Sequence, residues 1–71
     1  MKILKIKWRD SAMFHEQDSI EGGFTISEFE SIGFLIYEDK KIVVIARDLI
    51  RDDYRSALAI LKETIVSRKT V

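Results

Sequence analysis

The chain has no cysteine, no net charge and no long apolar run, and each absence excludes a class of protein. Without cysteine there is no disulfide, no thiolate metal site and no thiol catalysis. Twelve basic residues balance twelve acidic ones, so no global positive field favours nucleic acid. No stretch approaches the ~18 apolar residues of a membrane span, and residues 1–9 alternate charge and apolarity, unlike a signal peptide. We therefore expect a soluble, cytoplasmic protein.

What remains is enough for one small globular domain. The 71 residues fall below the ~100 to 200 of an average domain, so we expect a single domain over residues 1–71, with little room for an enclosed cleft. Hydrophobic residues make up 46% and charged residues 34% of the chain, which is the composition of a folded protein.

The first segment alternates apolar and basic side chains, as a half-buried strand does. Its apolar side is Leu4, Ile6 and Trp8, and its basic side is Lys5, Lys7 and Arg9. The sequence therefore predicts a strand here, with a row of positive charge on one face.

Residues 30–50 are predicted to form a hairpin. The expected faces of its first strand, residues 30–38, are Ile32, Phe34 and Ile36 on one side and Leu35 and Tyr37 on the other. Residues 41–50 include a β-branched run, and the short polar segment before it suits an antiparallel connection. Gly33 weakens the first strand unless the strand bends there or another backbone approaches closely.

Residues 10–27 lose this alternation and read as one long loop. Loops of this length in compact domains are usually functional or disordered. We predict that Met13, Phe14 and His15 bind a partner, because a mere linker has no need of apolar or amphipathic groups. The alternative is that Phe14 and Phe24 plug the open end of a barrel.

The last third of the sequence allows two readings. Its apolar side chains fall at helical spacing, and Asp52 or Asp53 could cap a helix. Residues 57–61 also fit a short strand followed by a tight turn at residues 62–64, and the tail beyond is β-branched. The pattern alone leaves a C-terminal helix and a strand-turn-strand unit equally open.

A family resemblance decides between them. The residues that carry it are Ile6, Trp8, Asp10 and Ser11, then residues 31–36 with the acidic turn Glu38 and Asp39, and finally residues 59–66. In this pattern the chain resembles a group of small proteins encoded mainly by bacteriophages and prophages, which have no assigned activity. Leu61 stands where those relatives usually carry proline.

The resemblance implies an all-β fold, a small five-stranded SH3-like or Sm-like barrel with a long first loop and a 3₁₀ turn before the last strand. The inward side chains expected of it are Leu4, Ile6, Trp8, Phe34, Ile36, Val44, Leu58, Ile60 and Ile65. A chain of this size buries only ~60% of its surface. We therefore expect a homo-oligomer as well.

Two groups of residues contain the side-chain types of a catalytic triad or a metal site, but their spacing fits neither. Asp10, Ser11 and His15 contain acid, nucleophile and base, yet they lie in one loop with no sign of an oxyanion hole, so we expect no enzyme. Acidic residues around His15 match no metal loop, and we expect neither metal nor cofactor.

The basic residues are the better candidates. We predict a phosphate-binding or nucleotide-binding surface made of Lys5, Lys7, Arg9, Arg47, Arg51 and Arg55. The competing interpretation is an ordinary solvated edge, where lysines discourage aggregation.

The function expected from all this is a non-enzymatic phage-type binding module. It would capture, in a fixed stoichiometry, either a host protein at a barrel edge or a small phosphorylated or nucleotide signal, in a counter-defence role. The alternative is a small barrel that binds single-stranded nucleic acid. We expect no membrane partner.

Overall fold

Residues 1–10 and 27–71 are described by the computed structural model of the chain, and they form five strands and one short 3₁₀ turn. In chain order these are β1 (Ile3–Asp10), β2 (Ser27–Glu38), β3 (Ile42–Ile50), β4 (Asp53–Leu61), the 3₁₀ turn (Lys62–Thr64) and β5 (Ile65–Thr70). Each strand contains the β-branched or alternating pattern typical of a half-buried strand.

The five strands make one sheet in the order β4-β3-β2-β1-β5, with every neighbouring pair antiparallel. This confirms the predicted all-β, five-stranded fold with a 3₁₀ turn before the last strand. β4 and β5 are the two edges of this order, although only the 3₁₀ turn separates them along the chain. No helix in the described ranges is long and apolar enough to cross a membrane.

The alternative of a C-terminal helix is wrong. Residues 53–61 are extended and pair with β3 along their whole length, so the apolar residues at helical spacing belong to a strand. Leu61 has a φ of −67°, which is the value that a proline ring imposes. The backbone at this position therefore has a φ that a proline could adopt without strain.

The predicted hairpin of β2 and β3 is confirmed, and Asp39 fixes its turn. The Asp39 carboxylate accepts hydrogen bonds from the backbone N–H groups of Lys41 (2.8 Å) and Ile42 (2.9 Å), and Asp39 N–H donates to the Ile42 carbonyl (3.0 Å). The hydrogen bonds that the carboxylate accepts from Ile42, Lys41 and the Tyr37 hydroxyl lower the pKa of Asp39, and the contact with Asp39 raises the pKa of Tyr37.

Gly33 faces the interior because β3 passes close to it. A Cβ atom added at Gly33 would lie 2.8 Å from the Ala46 carbonyl oxygen and 3.1 Å from Ile45 Cβ. Gly33 lies opposite buried Leu4. Phe34 therefore lies on the outer face, opposite Ile3, and its assignment to the core was wrong.

The residues of β3 that face the core also differ from the predicted ones, and a bulge in β2 accompanies the difference. The β2–β3 register shifts between Leu35 and Tyr37, at Ile36. Val43, Ile45 and Ala46 are the buried residues of β3, while Val44 and Ile36, which were expected inside, are only partly buried.

The core is small. Leu4, Ile6 and Ile60 are buried as predicted, and they cluster with Val43 and Ile45. Trp8 and Ile65, also predicted, are partly buried against this cluster. Leu58 was expected in the core but is 37% exposed. Five large apolar side chains are a thin core, so every other contact in the domain has weight.

Trp8 stands at the margin of this core. Its ring stacks on Phe29 with the centroids 4.9 Å apart, and its Nε1–H donates to Ser31 Oγ at 3.1 Å. These two contacts fix the indole orientation while one part of it stays open to the surface.

We predict that Gly33→Ala destabilises the protein by about 1 to 3 kcal/mol, since the neighbouring carbonyl cannot move without shifting β3. The matched control is Ser67→Ala at an exposed strand position, which should stay within about 0.5 kcal/mol of wild type. Urea unfolding of wild type and the two variants measures both differences in the free energy of unfolding. Equal stability of the Gly33 variant and wild type would show that β2 and β3 are further apart.

Candidate functional site

β4 is the most exposed strand of the sheet. Eight of its nine residues are exposed, and Ile60 alone is buried. Among the exposed ones are Tyr54 (49%), Leu58 (37%) and Leu61 (51%). Such a row of large apolar side chains on an edge strand is the first feature of the structure that indicates a binding surface.

The unused backbone groups of β4 can be identified from its register. Lys62 N–H donates to the Lys41 carbonyl (2.8 Å), and β4 keeps one register against β3 throughout. In an antiparallel pair, hydrogen-bonded residues alternate with residues whose N–H and C=O point the other way. Ala57, Ala59 and Leu61 therefore direct their backbone groups outward, away from β3. Of these groups, the Leu61 carbonyl already accepts a hydrogen bond from Thr64 Oγ1 (2.6 Å).

Within residues 1–10 and 27–71, only the second half of β4 forms an edge that no strand pairs and no charge protects. Ser56 has a φ of 57°, so the strand is kinked there, and Arg55 adds a charge before the kink. Residues 57–61 read Ala-Leu-Ala-Ile-Leu and have none of the charges, prolines or bulges that usually blunt a free edge. The opposite edge, β5, does carry charge at Arg68 and Lys69.

A cleft runs beside this segment. Residues 58–61 form one wall, Trp8 and Arg9 of β1 form the other, and Thr64 lies at the end. Its volume is about 210 Å³, which is below the ~300 Å³ at which small-molecule sites begin. The cleft suits one or two side chains of a larger partner.

The end of β1 that forms this wall is paired with β2 on one side only. β1 pairs with β2 up to Asp10, whereas its pairing with β5 stops at Trp8. Arg9 therefore has no β5 residue opposite it. Because β4 and the end of β1 line the same cleft without pairing to each other, the sheet curls and leaves a seam there.

Glu38 joins three elements of the fold by ion pairs. Its carboxylate accepts hydrogen bonds from Arg68 Nη1 and Nη2 (2.8 and 3.2 Å) and contacts Lys62 Nζ (2.8 Å), so it ties β2 to β5 and to the 3₁₀ turn. Hydrogen bonds from Arg68 and then Lys62 lower the pKa of Glu38 from 4.5 to about 2.

The predicted basic row of β1 exists but is matched by acids. Lys5, Lys7 and Arg9 lie on one face, opposite Ile32, Glu30 and Glu28 respectively. The ion pairs are Lys5 Nζ–Glu30 Oε1 (3.0 Å), Lys7 Nζ–Glu28 Oε1 (4.0 Å) and Arg9 Nε–Glu28 Oε2 (3.4 Å). The two glutamates therefore reduce the positive field of the row.

The other predicted phosphate-binding residues lie on different surfaces. Arg47 lines a groove with Ser56 and Leu58, and Arg51 is in the β3–β4 turn, where its φ is 52°. Arg55 lies on β4 opposite Asp48. None of these three lines the groove that contains Lys5 and Lys7.

The predicted partner-binding residues Met13, Phe14 and His15 lie outside the described residues, as do Ser11 and Phe24. Among residues 1–10 and 27–71, no three acidic or histidine side chains are placed to hold a metal ion.

Two features of the site were missing from the sequence analysis. One is the pairing of Glu28 and Glu30 with the basic row, which the alternation of Glu28, Glu30 and Ile32 could have indicated. The other is the free edge of residues 57–61, because the sequence shows that a segment is extended but not which strands end up at the edges.

The low pKa of Glu38 gives a pH prediction. Because folding lowers its pKa from 4.5 to about 2, its contribution to stability is fully present above pH 4.5 and is lost as the pH falls from there towards 2. We expect Glu38→Gln to be less stable than wild type at pH 7, and the difference to shrink over that window in urea unfolding. A difference that does not change with pH would contradict the assignment, and Glu63→Gln in the 3₁₀ turn is the control.

Comparisons with known proteins found no relative of this chain. No protein-family model, no curated protein and no solved structure matches the chain. The resemblance to phage-encoded proteins therefore stays a prediction, and the function has to be argued from the residues themselves.

Proposed function

We propose that the protein is a non-enzymatic binding module that captures an extended segment of another protein along residues 57–61 of β4. The observation that carries this proposal is the uncharged free edge, with the backbone groups of Ala57, Ala59 and Leu61 directed outward. Strand addition of this kind gains affinity from main-chain hydrogen bonds and specificity from pockets for alternate side chains. The resemblance makes a protein of a bacterial host the partner we favour.

The cleft supports the same proposal. A strand added to β4 would place every second side chain between residues 58–61 and Trp8, where the lining is mostly apolar. It would also lie near Arg9, at the end of β1 that β5 does not pair with. One added strand could thus occupy much of the seam that the chain leaves between β4 and β1.

The first test uses a variant that changes the edge without changing the fold. Leu61→Pro removes one outward N–H, and its ring fits the φ of −67° already present. We expect stability within about 1 kcal/mol of wild type and roughly tenfold weaker binding of peptides selected on the wild-type protein from a random display library.

Leu61→Ala is the matched control, because it removes the same side chain but keeps the N–H. The two variants together separate backbone pairing from side-chain contact. If both bind selected peptides as wild type does, or if both lose them equally, strand addition at this end of β4 is contradicted.

A second candidate function is binding of a phosphate group, as in a nucleotide signal or single-stranded nucleic acid. It is favoured by Lys5 and Lys69, which lie directly opposite each other on β1 and β5. Like charges in this position are destabilising. Glu30 already pairs with Lys5 at 3.0 Å, and an anion beside Lys69 would relieve the remaining repulsion. A groove of about 200 Å³ is lined by both lysines, Lys7, Ser67 and Glu30.

A salt titration with a single-stranded oligonucleotide tests this candidate. If the three lysines contact phosphates, log K should fall against log salt with a slope of about −2, and Lys69→Ala should reduce that slope by about 1. Binding that does not respond to salt, or to Lys69→Ala, would exclude the groove as a phosphate site.

The predicted homo-oligomer stays a prediction.

A further inference from the structure

The end of the free edge is basic. Beyond Leu61, a pocket of about 370 Å³ is lined by Lys40, Lys41, Leu61, Lys62 and Glu63. Lys62 is engaged by Glu38, but neither Lys40 nor Lys41 has a carboxylate partner within ion-pair distance in the described part of the chain. The exposed Leu61 side chain lines both this pocket and the apolar cleft. A ligand that follows β4 therefore passes from an apolar cleft to a basic pocket.

The direction of such a ligand follows from the sheet. All four strand pairs are antiparallel, and antiparallel pairing is the slightly more stable kind. A strand added antiparallel to β4 would begin near Leu61 and run back towards the kink at Ser56. Its first residues would then lie next to Lys40 and Lys41.

We infer that the captured segment is an extended peptide in which acidic residues immediately precede about five residues with alternating apolar side chains. The apolar residues occupy the cleft beside Trp8, and the acidic ones contact Lys40 and Lys41. This inference rests on the proposed function and specifies the partner by its charge and by its order of residues. The lysines supply the complementary charge that residues 57–61 lack.

The test uses three synthetic peptides. The first has two glutamates before an alternating valine-threonine segment, the second has two lysines in their place, and the third carries the glutamates at the opposite end. Trp8 is the single tryptophan of the chain and lines the cleft, so its emission reports occupation directly. We expect the first peptide to bind roughly tenfold more tightly than the second, and more tightly than the third.

The charge-reversed variant Lys40→Glu/Lys41→Glu should abolish the preference for the first peptide. Its control, Lys2→Glu/Arg51→Glu, makes the same change in net charge at exposed residues that line neither the cleft nor the basic pocket, and should leave the preference intact. Equal binding of the three peptides, or tightest binding of the second or third, would overturn the inference.

The outcomes separate this inference from the proposed function. If all peptides bind equally and Leu61→Pro weakens all of them, capture by β4 stands and the acidic flank is wrong. If none changes Trp8 emission, both are wrong. Light scattering completes the test, since a dimer that Leu61→Pro dissociates would place a second copy of the chain on this edge and overturn both.

Discussion

The close approach of β3 to Gly33 is the constraint on which the rest of the structure depends. With the Ala46 carbonyl 2.8 Å from where a Cβ would stand, only glycine fits, and Gly33 is fixed on the inner face of β2. The inner face then follows through Leu4 opposite it, and the bulge at Ile36 brings Val43 and Ile45 inside. The core reaches β4 through Ile60 and no other buried residue, so β4 depends on β3 for nearly all its contacts.

Because β4 contributes only one buried side chain to the core, its other side chains are available for contacts with a partner. β4 adds little to the core, yet residues 57–61 are as apolar as a core strand and carry none of the charges found on β5. Glu38 ties β5 and the 3₁₀ turn to β2, whereas β4 has no such ion pair along residues 57–61. The two edges thus have different chemistry, and only β4 is suited to accept a further strand.

Much of the fold could be predicted from the sequence, because period-2 alternation and turn residues are local signals. The β1 alternation, the Asp39 turn and the strand-turn-strand ending are of this kind, although the last needed the family resemblance to exclude a helix. The faces of β2 and β3 were predicted less well. A one-residue bulge reverses a face, and nothing in a β-branched run marks where the bulge falls.

The candidate site was less accessible to sequence reasoning than the fold. Lysines and arginines are visible in any sequence, so the prediction favoured them, but neutralisation by Glu28 depends on the β1–β2 register. An edge is a property of the whole sheet order. Residues 57–61 read as an ordinary buried strand, and Leu58 was assigned to the core on that basis.

Amide hydrogen exchange along β4 tests the proposed edge most directly, because the N–H groups of alternate residues in this strand pair with no other described strand. The account predicts slow exchange for Leu58 and Ile60, whose amides pair with β3, and nearly unprotected exchange for Ala57, Ala59 and Leu61 in the free protein. Binding of an extended peptide should then protect the second set. Protection of both sets in the free protein would contradict the account, since the edge would already be covered.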